Sequence, residues 1–216
     1  MRYSVEAALD ANGVTFDARA AKLRALMHVC GIIIPARCFG SKEDVVGQEF
    51  PVAKPKRGRT SREVTGDDYD EAMRVLYETD RFYELMRLFP RADKHIDMLA
   101  RRGFLVSVVS GARGLTEERF WWLVSRFRLA VKEFVQLAPG ESKSSYYAQC
   151  RIVIDDEVRH LTALVGDGTV PILMLPPSNA AGSRGVLRPD HVHSGINISR
   201  GWEAAGEHVR RHVLAA

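Results

Sequence analysis

The chain of 216 residues contains only three cysteines, Cys30, Cys38 and Cys150, and they lie far apart. Three distant cysteines do not make the disulfide framework of a small secreted domain, and their spacing does not match a zinc site. A reduced, cytoplasmic setting is therefore expected. No apolar run reaches the ~18 residues of a membrane span, and the first residues lack the basic and then apolar order of a secretory signal. We expect neither a membrane segment nor a signal peptide.

The remaining composition is typical of a globular protein. With 46% hydrophobic and 27% charged residues, the chain is long enough for one sizeable core and a small accessory unit. The net charge of +4 is compatible with a small anionic substrate. The basic run Lys54–Arg59 is short and has no interleaved aromatic residues, which favours an exposed loop over a nucleic-acid contact. A nucleic-acid polymer is therefore not an expected partner.

Short apolar runs alternate with helical periodicity along most of the chain. The runs predict strands at Ser4–Asp10, Phe104–Val109, Val131–Leu137, Arg151–Ile154 and Val170–Leu175. The periodic segments predict helices at 18–30, 65–89 with a break near Thr79, 90–102, 116–126 and 202–214, and residues 182–199 look irregular. This alternation is typical of an α/β protein with a Rossmann-like, doubly wound parallel sheet.

Residues 18–89 interrupt the alternation directly after the first strand, because they carry no strong strand pattern. We interpret them as a small, mostly helical cap domain inserted into a Rossmann-like core of residues 1–17 and 90–216. Within the cap, Thr65 and Asp68 match a capping box, and the proline-containing stretch Phe50–Thr65 is predicted to be an exposed loop.

Polar residues stand at or just past the ends of predicted strands, where ligands bind in open α/β sheets. These residues are Asp10, Ser110, Lys143 at the end of a predicted loop over residues 139–143, and the pair Asp155-Asp156. Carboxylates that converge at one rim require a cation, and oxygen ligands without sulfur or imidazole favour Mg²⁺. A carboxylate can also act as a nucleophile, while a hydroxyl and an ammonium can hold phosphoryl oxygens. Singly, each residue is typical of a cap, a turn or a solvated loop; together they predict a phosphoryl-transfer site.

The order of these residues resembles the haloacid dehalogenase (HAD) superfamily, most of whose members are Mg²⁺-dependent phosphatases. The matching motifs are Asp10-Ala11-Asn12-Gly13-Val14, Val108-Val109-Ser110, Lys143 and Ile152-Val153-Ile154-Asp155-Asp156. The resemblance implies that Asp10 is the nucleophile, forming an aspartyl-phosphate, and also a metal ligand. The carbonyl of Asn12 and the carboxylate of Asp155 would be further ligands, with Asp156 as a ligand or beside one. Phosphate would be bound by Ser110, Gly111, Arg113 and Lys143.

Within this superfamily the chain looks closest to the type C 5′-nucleotidases, including the 5′(3′)-deoxyribonucleotidases. The similar features are Arg81-Phe82-Tyr83-Glu84-Leu85 before Pro90, Val153-Ile154-Asp155-Asp156, the segment 172–179 and the helix that begins at Trp202. This likeness implies a small phosphorylated substrate such as a nucleoside monophosphate. The oligomeric state stays open, a homodimer included.

Asn12 departs from the superfamily pattern, in which a second Asp protonates the leaving group and later activates water. An amide cannot exchange a proton in that role near neutral pH. Three interpretations remain: a phosphatase whose turnover is impaired, a different reaction such as those of dehalogenases and phosphonatases, and a non-hydrolytic binding protein or an engineered variant that traps a complex.

The histidines carry less information. His208 and His212 have a metal-compatible spacing, but no third ligand accompanies them, and a surface helix face is the favoured interpretation. His191 and His193 lie in a predicted loop, where they either reach a substrate or are solvated.

Overall fold

The computed structural model describes residues 6–35, 42–54, 60–111, 114–138, 140–175 and 195–212. The strands within these ranges are β1 (Glu6–Asp10), β2 (Phe16–Asp17), β3 (Glu49–Pro51), β4 (Ser61–Glu63), β5 (Arg87–Leu88), β6 (Leu105–Ser110), β7 (Glu133–Gln136), β8 (Ile152–Asp155), β9 (Val170–Leu175) and β10 (Asn197–Arg200). The helices are α1 (Arg19–Cys30), α2 (Lys42–Val45), α3 (Gly66–Glu78), α4 (Asp80–Tyr83), α5 (Ala92–Arg101), α6 (Glu117–Phe127), α7 (Lys143–Tyr147), α8 (Val158–Leu161) and α9 (Trp202–His212), with a 3₁₀ turn at Thr162–Leu164. The described residues fall into two compact units, Ala18–Arg87 and the remainder. None of the helices described has the length and apolar character needed to cross a bilayer.

The larger unit contains a parallel sheet of six strands in the order β10-β9-β8-β1-β6-β7. If these strands alone are counted along the chain, the order is 3-2-1-4-5-6, that of a doubly wound dinucleotide-binding sheet. The sequence-based prediction of this fold class is therefore confirmed. The strand order reverses between β1 and β8, and in such sheets the crevice at the carboxyl ends of these two strands is where ligands bind.

The central strands form because their side chains are buried on both faces, as is usual for parallel sheets. In β1, Ala7, Ala8 and Leu9 have no exposed surface. Ala8 of β1 and Val153 of β8 pack with Tyr147 of α7 in one apolar cluster. This core fixes the strand ends, and therefore the residues that follow them, relative to one another.

The smaller unit, Ala18–Arg87, packs α1 against α3 and contains an antiparallel pair, β3 and β4. The predicted capping box is present: the Thr65 hydroxyl accepts from the backbone N–H of Asp68, whose carboxylate accepts from the N–H of Thr65. Arg62 joins these elements, because its guanidinium donates to Asp68 at 2.6 Å and to the Cys30 carbonyl at 2.9 Å.

Four local predictions were wrong. The stretch Phe50–Thr65 is not entirely loop, because it contains part of β3 and all of β4, strands of three residues that are too short to show an alternating pattern. The helical periodicity does not continue to Phe89, since Arg87–Leu88 is a strand, and Pro90 precedes rather than begins α5. Part of the segment thought to be irregular is the edge strand β10. Of the basic run, residues 55–59 lie outside the described ranges.

Candidate active site

Asp10 is the last residue of β1 and is buried. Its carbonyl accepts hydrogen bonds from the Thr15 N–H at 3.2 Å and from the Thr15 hydroxyl at 2.8 Å. The loop between these residues is held further by Trp202 of α9, whose indole N–H donates to the Val14 carbonyl at 2.9 Å. The strand and the loop contacts together give Asp10 a fixed place at the strand-order reversal.

Lys143 lies beside Asp10, at the start of α7 rather than in the loop that the sequence predicts. Ser142 caps this helix, its hydroxyl accepting from the Ser144 N–H at 3.2 Å. The Lys143 ammonium donates to Asp10 Oδ1 at 2.6 Å and to Asp155 Oδ2 at 3.1 Å. A lysine therefore bridges the carboxylates that end β1 and β8.

Asp155 and Asp156 complete a group of three carboxylates with Asp10. Each of the three offers one oxygen, and these oxygens lie within 4.8 Å of one another. Asp155 is fully buried, whereas Asp156 is partly exposed and lies directly against Gly13. Among the residues that the structure describes, this is the one cluster of such groups with metal-binding spacing.

The charged groups in this cluster shift one another's pKa values. Burial raises the pKa of Asp10 well above its usual range, and although the charge of Lys143 lowers it, the charges of Asp155 and Asp156 raise it further. Burial would also raise the pKa of Asp155, but a hydrogen bond from His160 and the charge of Lys143 lower it to about 2. Burial would lower the pKa of the Lys143 ammonium, yet Asp10 and Asp155 hold it above its usual range. Asp155 and Lys143 are thus a stable ion pair, and one lysine does not balance three carboxylates.

Two side chains that the sequence analysis missed contact Asp155. The Tyr147 hydroxyl donates to Asp155 Oδ2 at 2.7 Å, and His160 Nδ1 lies 3.2 Å from the same oxygen. The backbone N–H of Glu157 donates to Oδ1 at 2.8 Å. The one signal in the sequence is that Tyr147 follows Lys143 by one helical turn, which places both side chains on the same face of α7.

The other predicted site residues are placed as follows. Ser110 ends β6, the strand beside β1, and is buried, with Gly111 exposed directly after it. Asn12 lies two residues beyond Asp10 in the loop that Gly13 turns. Arg113 lies outside the described residues.

His208, the one of the four histidines noted above whose side chain the structure describes, is not part of this carboxylate cluster. His208 Nε2 lies 3.2 Å from the Ile198 carbonyl oxygen. Because a carbonyl oxygen only accepts hydrogen bonds, Nε2 is the donor. His191, His193 and the side chain of His212 lie outside the described parts of the chain.

This donor set fits a hard divalent cation such as Mg²⁺. All three side-chain ligands are carboxylates, as Mg²⁺ prefers, and a cation would favour the ionised form of Asp10, which burial and the neighbouring carboxylates disfavour. A backbone carbonyl on the same loop, that of Asn12, would extend the oxygen set. A positive charge held here would lie next to the Lys143 ammonium, which suits the binding of a multiply charged anion.

Comparison with known proteins shows a likeness in fold alone. No protein-family model matches the sequence, and no curated protein matches it. Among solved structures, one described as a phosphatase from Clostridium difficile has a TM-score of 0.58 and 13% identity, with 96% of this chain and 98% of that chain covered. One described as a haloacid dehalogenase-like hydrolase from Bacteroides fragilis has a TM-score of 0.55 and 11% identity over 92% and 97%. One described as a β-phosphoglucomutase from Bacteroides vulgatus has a TM-score of 0.54 and 15% identity over 99% and 90%. The chain therefore has the fold of the HAD-type hydrolases.

Proposed function

We propose that this chain is a Mg²⁺-dependent phosphohydrolase of the HAD superfamily that acts on a small phosphate ester. The observation that carries the proposal is the buried Asp10, whose carboxylate lies 2.6 Å from the Lys143 ammonium and within metal-sharing distance of Asp155 and Asp156. A carboxylate in this place can attack phosphorus, while the neighbouring cationic side chain stabilises the charge that develops on the phosphoryl oxygens.

In the proposed reaction a carboxylate oxygen of Asp10 forms a bond to phosphorus as the bond to the leaving oxygen breaks, and the leaving oxygen takes a proton from water because the Asn12 amide cannot supply one. Water then hydrolyses the aspartyl-phosphate and releases inorganic phosphate. Lys143 would hold the transferring group, together with Ser110, Gly111 and Arg113. Mg²⁺, held by Asp10, Asp155, Asp156 and the Asn12 carbonyl, would neutralise charge on the phosphoryl oxygens.

The substrate we propose is a nucleoside monophosphate or a similar small phosphorylated metabolite, with residues 18–89 acting as the cap that selects it. Support comes from the resemblance of residues 81–85 and of the pair Asp155-Asp156 to type C 5′-nucleotidases. We also propose a cytoplasmic location, because Cys30 and Cys150 are free thiols and both are buried. A homodimer is compatible with this assignment.

Asn12 favours a second candidate, a protein that binds a phosphorylated ligand and Mg²⁺ without turning the ligand over. The amide offers no exchangeable proton near neutral pH. In this candidate the same carboxylates and Lys143 would serve binding alone. The two candidates differ in turnover and not in affinity.

A panel of phosphate esters that includes nucleoside monophosphates tests the proposal, assayed with Mg²⁺ and after chelation. We expect phosphate release that needs Mg²⁺ and is lost in Asp10→Asn. Asp97→Asn is the control, because this carboxylate lies on the exposed face of α5, paired with Arg101 at 2.9 Å. Equal activity of Asp10→Asn and the wild type would overturn the proposed mechanism. Mg²⁺-dependent binding of phosphate without any turnover would select the binding candidate.

A further inference from the structure

The Asp155 carboxylate is fully buried, and a single one of its oxygens meets three side-chain donors. Around Oδ2 lie the Tyr147 hydroxyl at 2.7 Å, the Lys143 ammonium at 3.1 Å and His160 Nδ1 at 3.2 Å. The Glu157 N–H donates to the other oxygen at 2.8 Å. An ionised carboxylate can only accept hydrogen bonds, which assigns a proton to Nδ1 of His160.

We propose that Tyr147 and His160 are positioning residues of the active site. Through their shared contact with Asp155 Oδ2 they fix the carboxylate that aligns the Lys143 ammonium against Asp10. This inference rests on the proposed function for its consequence in turnover, while its structural part can be tested without any turnover.

Lys143 needs such alignment because its side chain is long and flexible and its ammonium group can rotate. Its ammonium has three donors; the contacts to Asp10 and Asp155 use two of them, and the third can point to a phosphoryl oxygen. If Asp155 turned, the direction of the third donor would turn with it. Misplacement of a catalytic group by about 1 Å can cost ~10²-fold in rate.

The surrounding structure leaves Tyr147 and His160 little freedom. Tyr147 is fully buried in the apolar cluster with Val153 and Leu161. The Ser144 hydroxyl of α7 donates to the backbone carbonyl of His160 in α8 at 3.2 Å. These contacts join two very short helices to the end of β8, so the donors reach Asp155 from a rigid frame.

His160 contacts Asp155 through Nδ1, whereas its second ring nitrogen, Nε2, lies 3.6 Å from Glu157 Oε2, beyond hydrogen-bond length. An asparagine can present its amide N–H₂ close to the place of Nδ1, which makes His160→Asn the conservative replacement.

The neighbouring Tyr146 provides a matched control on the same helix. Its hydroxyl contacts Ser107 Oγ at 3.0 Å and Glu133 Oε2 at 2.8 Å, and it does not contact Asp155. Tyr146→Phe and Tyr147→Phe therefore remove the same atom, a phenolic oxygen, from adjacent residues. Only Tyr147→Phe removes a contact with Asp155.

The kinetic test measures kcat and KM on the best ester of the panel. We expect Tyr147→Phe to lower kcat at saturating Mg²⁺ about tenfold or more, as for loss of a hydrogen bond to a charged group, with KM changed less than about threefold. Tyr146→Phe should retain the wild-type kcat. His160→Ala should lose activity that His160→Asn largely restores. A Tyr147→Phe enzyme with wild-type kcat would overturn the proposal.

A double-mutant cycle on urea denaturation provides the readout that needs no activity. If Tyr147 acts on Lys143 through Asp155, the effects of Tyr147→Phe and Lys143→Met on the free energy of unfolding will not add. Those of Tyr146→Phe and Lys143→Met will add. Additivity in both cycles would overturn the positioning role. Coupling in the first cycle alone, in a protein that hydrolyses no ester, would support the positioning role and reject the proposed function.

Discussion

A Cβ atom placed on Gly13 would lie 2.1 Å from Asp156 Oδ2, so the loop after β1 and the carboxylate after β8 are in contact only because position 13 is a glycine. Gly13 also has φ 101°, a conformation that L side chains rarely adopt. The close approach of the two loops therefore depends on the glycine at position 13, which has no side chain. It places the Asp156 carboxylate against the loop that carries Asn12.

We predict that Gly13→Ala will displace Asp156 and weaken Mg²⁺ binding by about tenfold or more, an effect of the size seen when groups that orient metal ligands are removed. Calorimetry with Mg²⁺ measures this. The control is Gly103→Ala, because Gly103 also has a positive φ of 87° but nothing lies within 4 Å of the added methyl group. That variant should lose stability but keep the wild-type affinity for Mg²⁺. Equal Mg²⁺ affinity in both variants would contradict a role for the Gly13 contact.

A second prediction concerns the carboxylates of Asp155 and Asp156, at the end of β8 and directly after it. Asp155→Ala and Asp156→Ala should each weaken Mg²⁺ binding severely, because both carboxylates are proposed metal ligands. Asp155 also accepts a hydrogen bond from Lys143. Asp97→Ala, on the surface of α5, should leave the affinity unchanged. Calorimetry separates these outcomes, and unchanged affinity in both Asp155→Ala and Asp156→Ala would rule out the proposed metal site.

The carboxyl-end residues could be predicted from the sequence because parallel strands bring their ends to one edge. Asp10 and Asp155 each follow a short apolar run, and Ser110 follows one that is interrupted only by Ser107; such runs are typical of strands buried on both faces. β10 gave no such signal, since Asn197 and Arg200 make it polar. The place of Lys143 on a helix was missed because α7 spans only Lys143–Tyr147.

The Asp155 contacts of Tyr147 and His160 could not be predicted, because they depend on how α7 and α8 pack on the end of β8. Neither side chain stands at a strand end, and no sequence spacing links the two to Asp155. Only the buried packing of Tyr147 and the tie between Ser144 and His160 bring them together. Contacts that helices make by packing on a strand end therefore need the structure.

A third prediction concerns the reactivity of Cys150. Burial, followed by the charges of Glu6 and Glu133, raises the pKa of this thiol to about 12. At pH 8 the folded protein should therefore alkylate at Cys150 about a thousandfold more slowly than the unfolded chain, whose thiol has a pKa near ~8.5. Iodoacetamide labelling of Cys150, with Cys30 and Cys38 replaced by Ser, measures this in buffer and in urea.

The same shift has a consequence for stability. The folded-state pKa of Cys150 lies above the unfolded value, so ionisation is disfavoured in the folded state. No stability is lost below the unfolded pKa, and stability then falls as the pH rises towards about 12. Cys150→Ala should flatten this alkaline decline. Equally fast labelling of Cys150 with and without urea would contradict the burial of the thiol.

A fourth prediction follows from the proposed cap. Exchange of the smaller unit, Ala18–Arg87, for the corresponding segment of a related phosphatase should change which ester is preferred, because a cap would select its ester by shape and stacking. The Mg²⁺ dependence should stay, since Asp10, Asp155 and Asp156 lie in the larger unit. The readout is the ratio of kcat/KM across the ester panel. An unchanged ranking of esters would assign specificity to the loops of the larger unit.

The last prediction concerns Asn12, whose amide cannot deliver a proton to the leaving oxygen or activate the hydrolytic water. General acid–base catalysis typically contributes ~10²–10⁴-fold, and Asn12→Asp should raise turnover of an alkyl phosphate by about that factor. An aryl phosphate with a good leaving group needs less protonation, so formation of its aspartyl-phosphate should gain less. Affinity should change little, because Ser110 and Lys143 are untouched.

Steady-state and single-turnover kinetics of both forms with Mg²⁺ separate these effects. Asn12→Ala is the matched control, since it removes the amide without adding an acid and should not gain. If Asn12→Asp gains nothing on any ester while Mg²⁺ and phosphate still bind, proton transfer at position 12 is not what limits this site. The same cluster of Asp10, Lys143 and Asp155 would then serve binding or a different reaction.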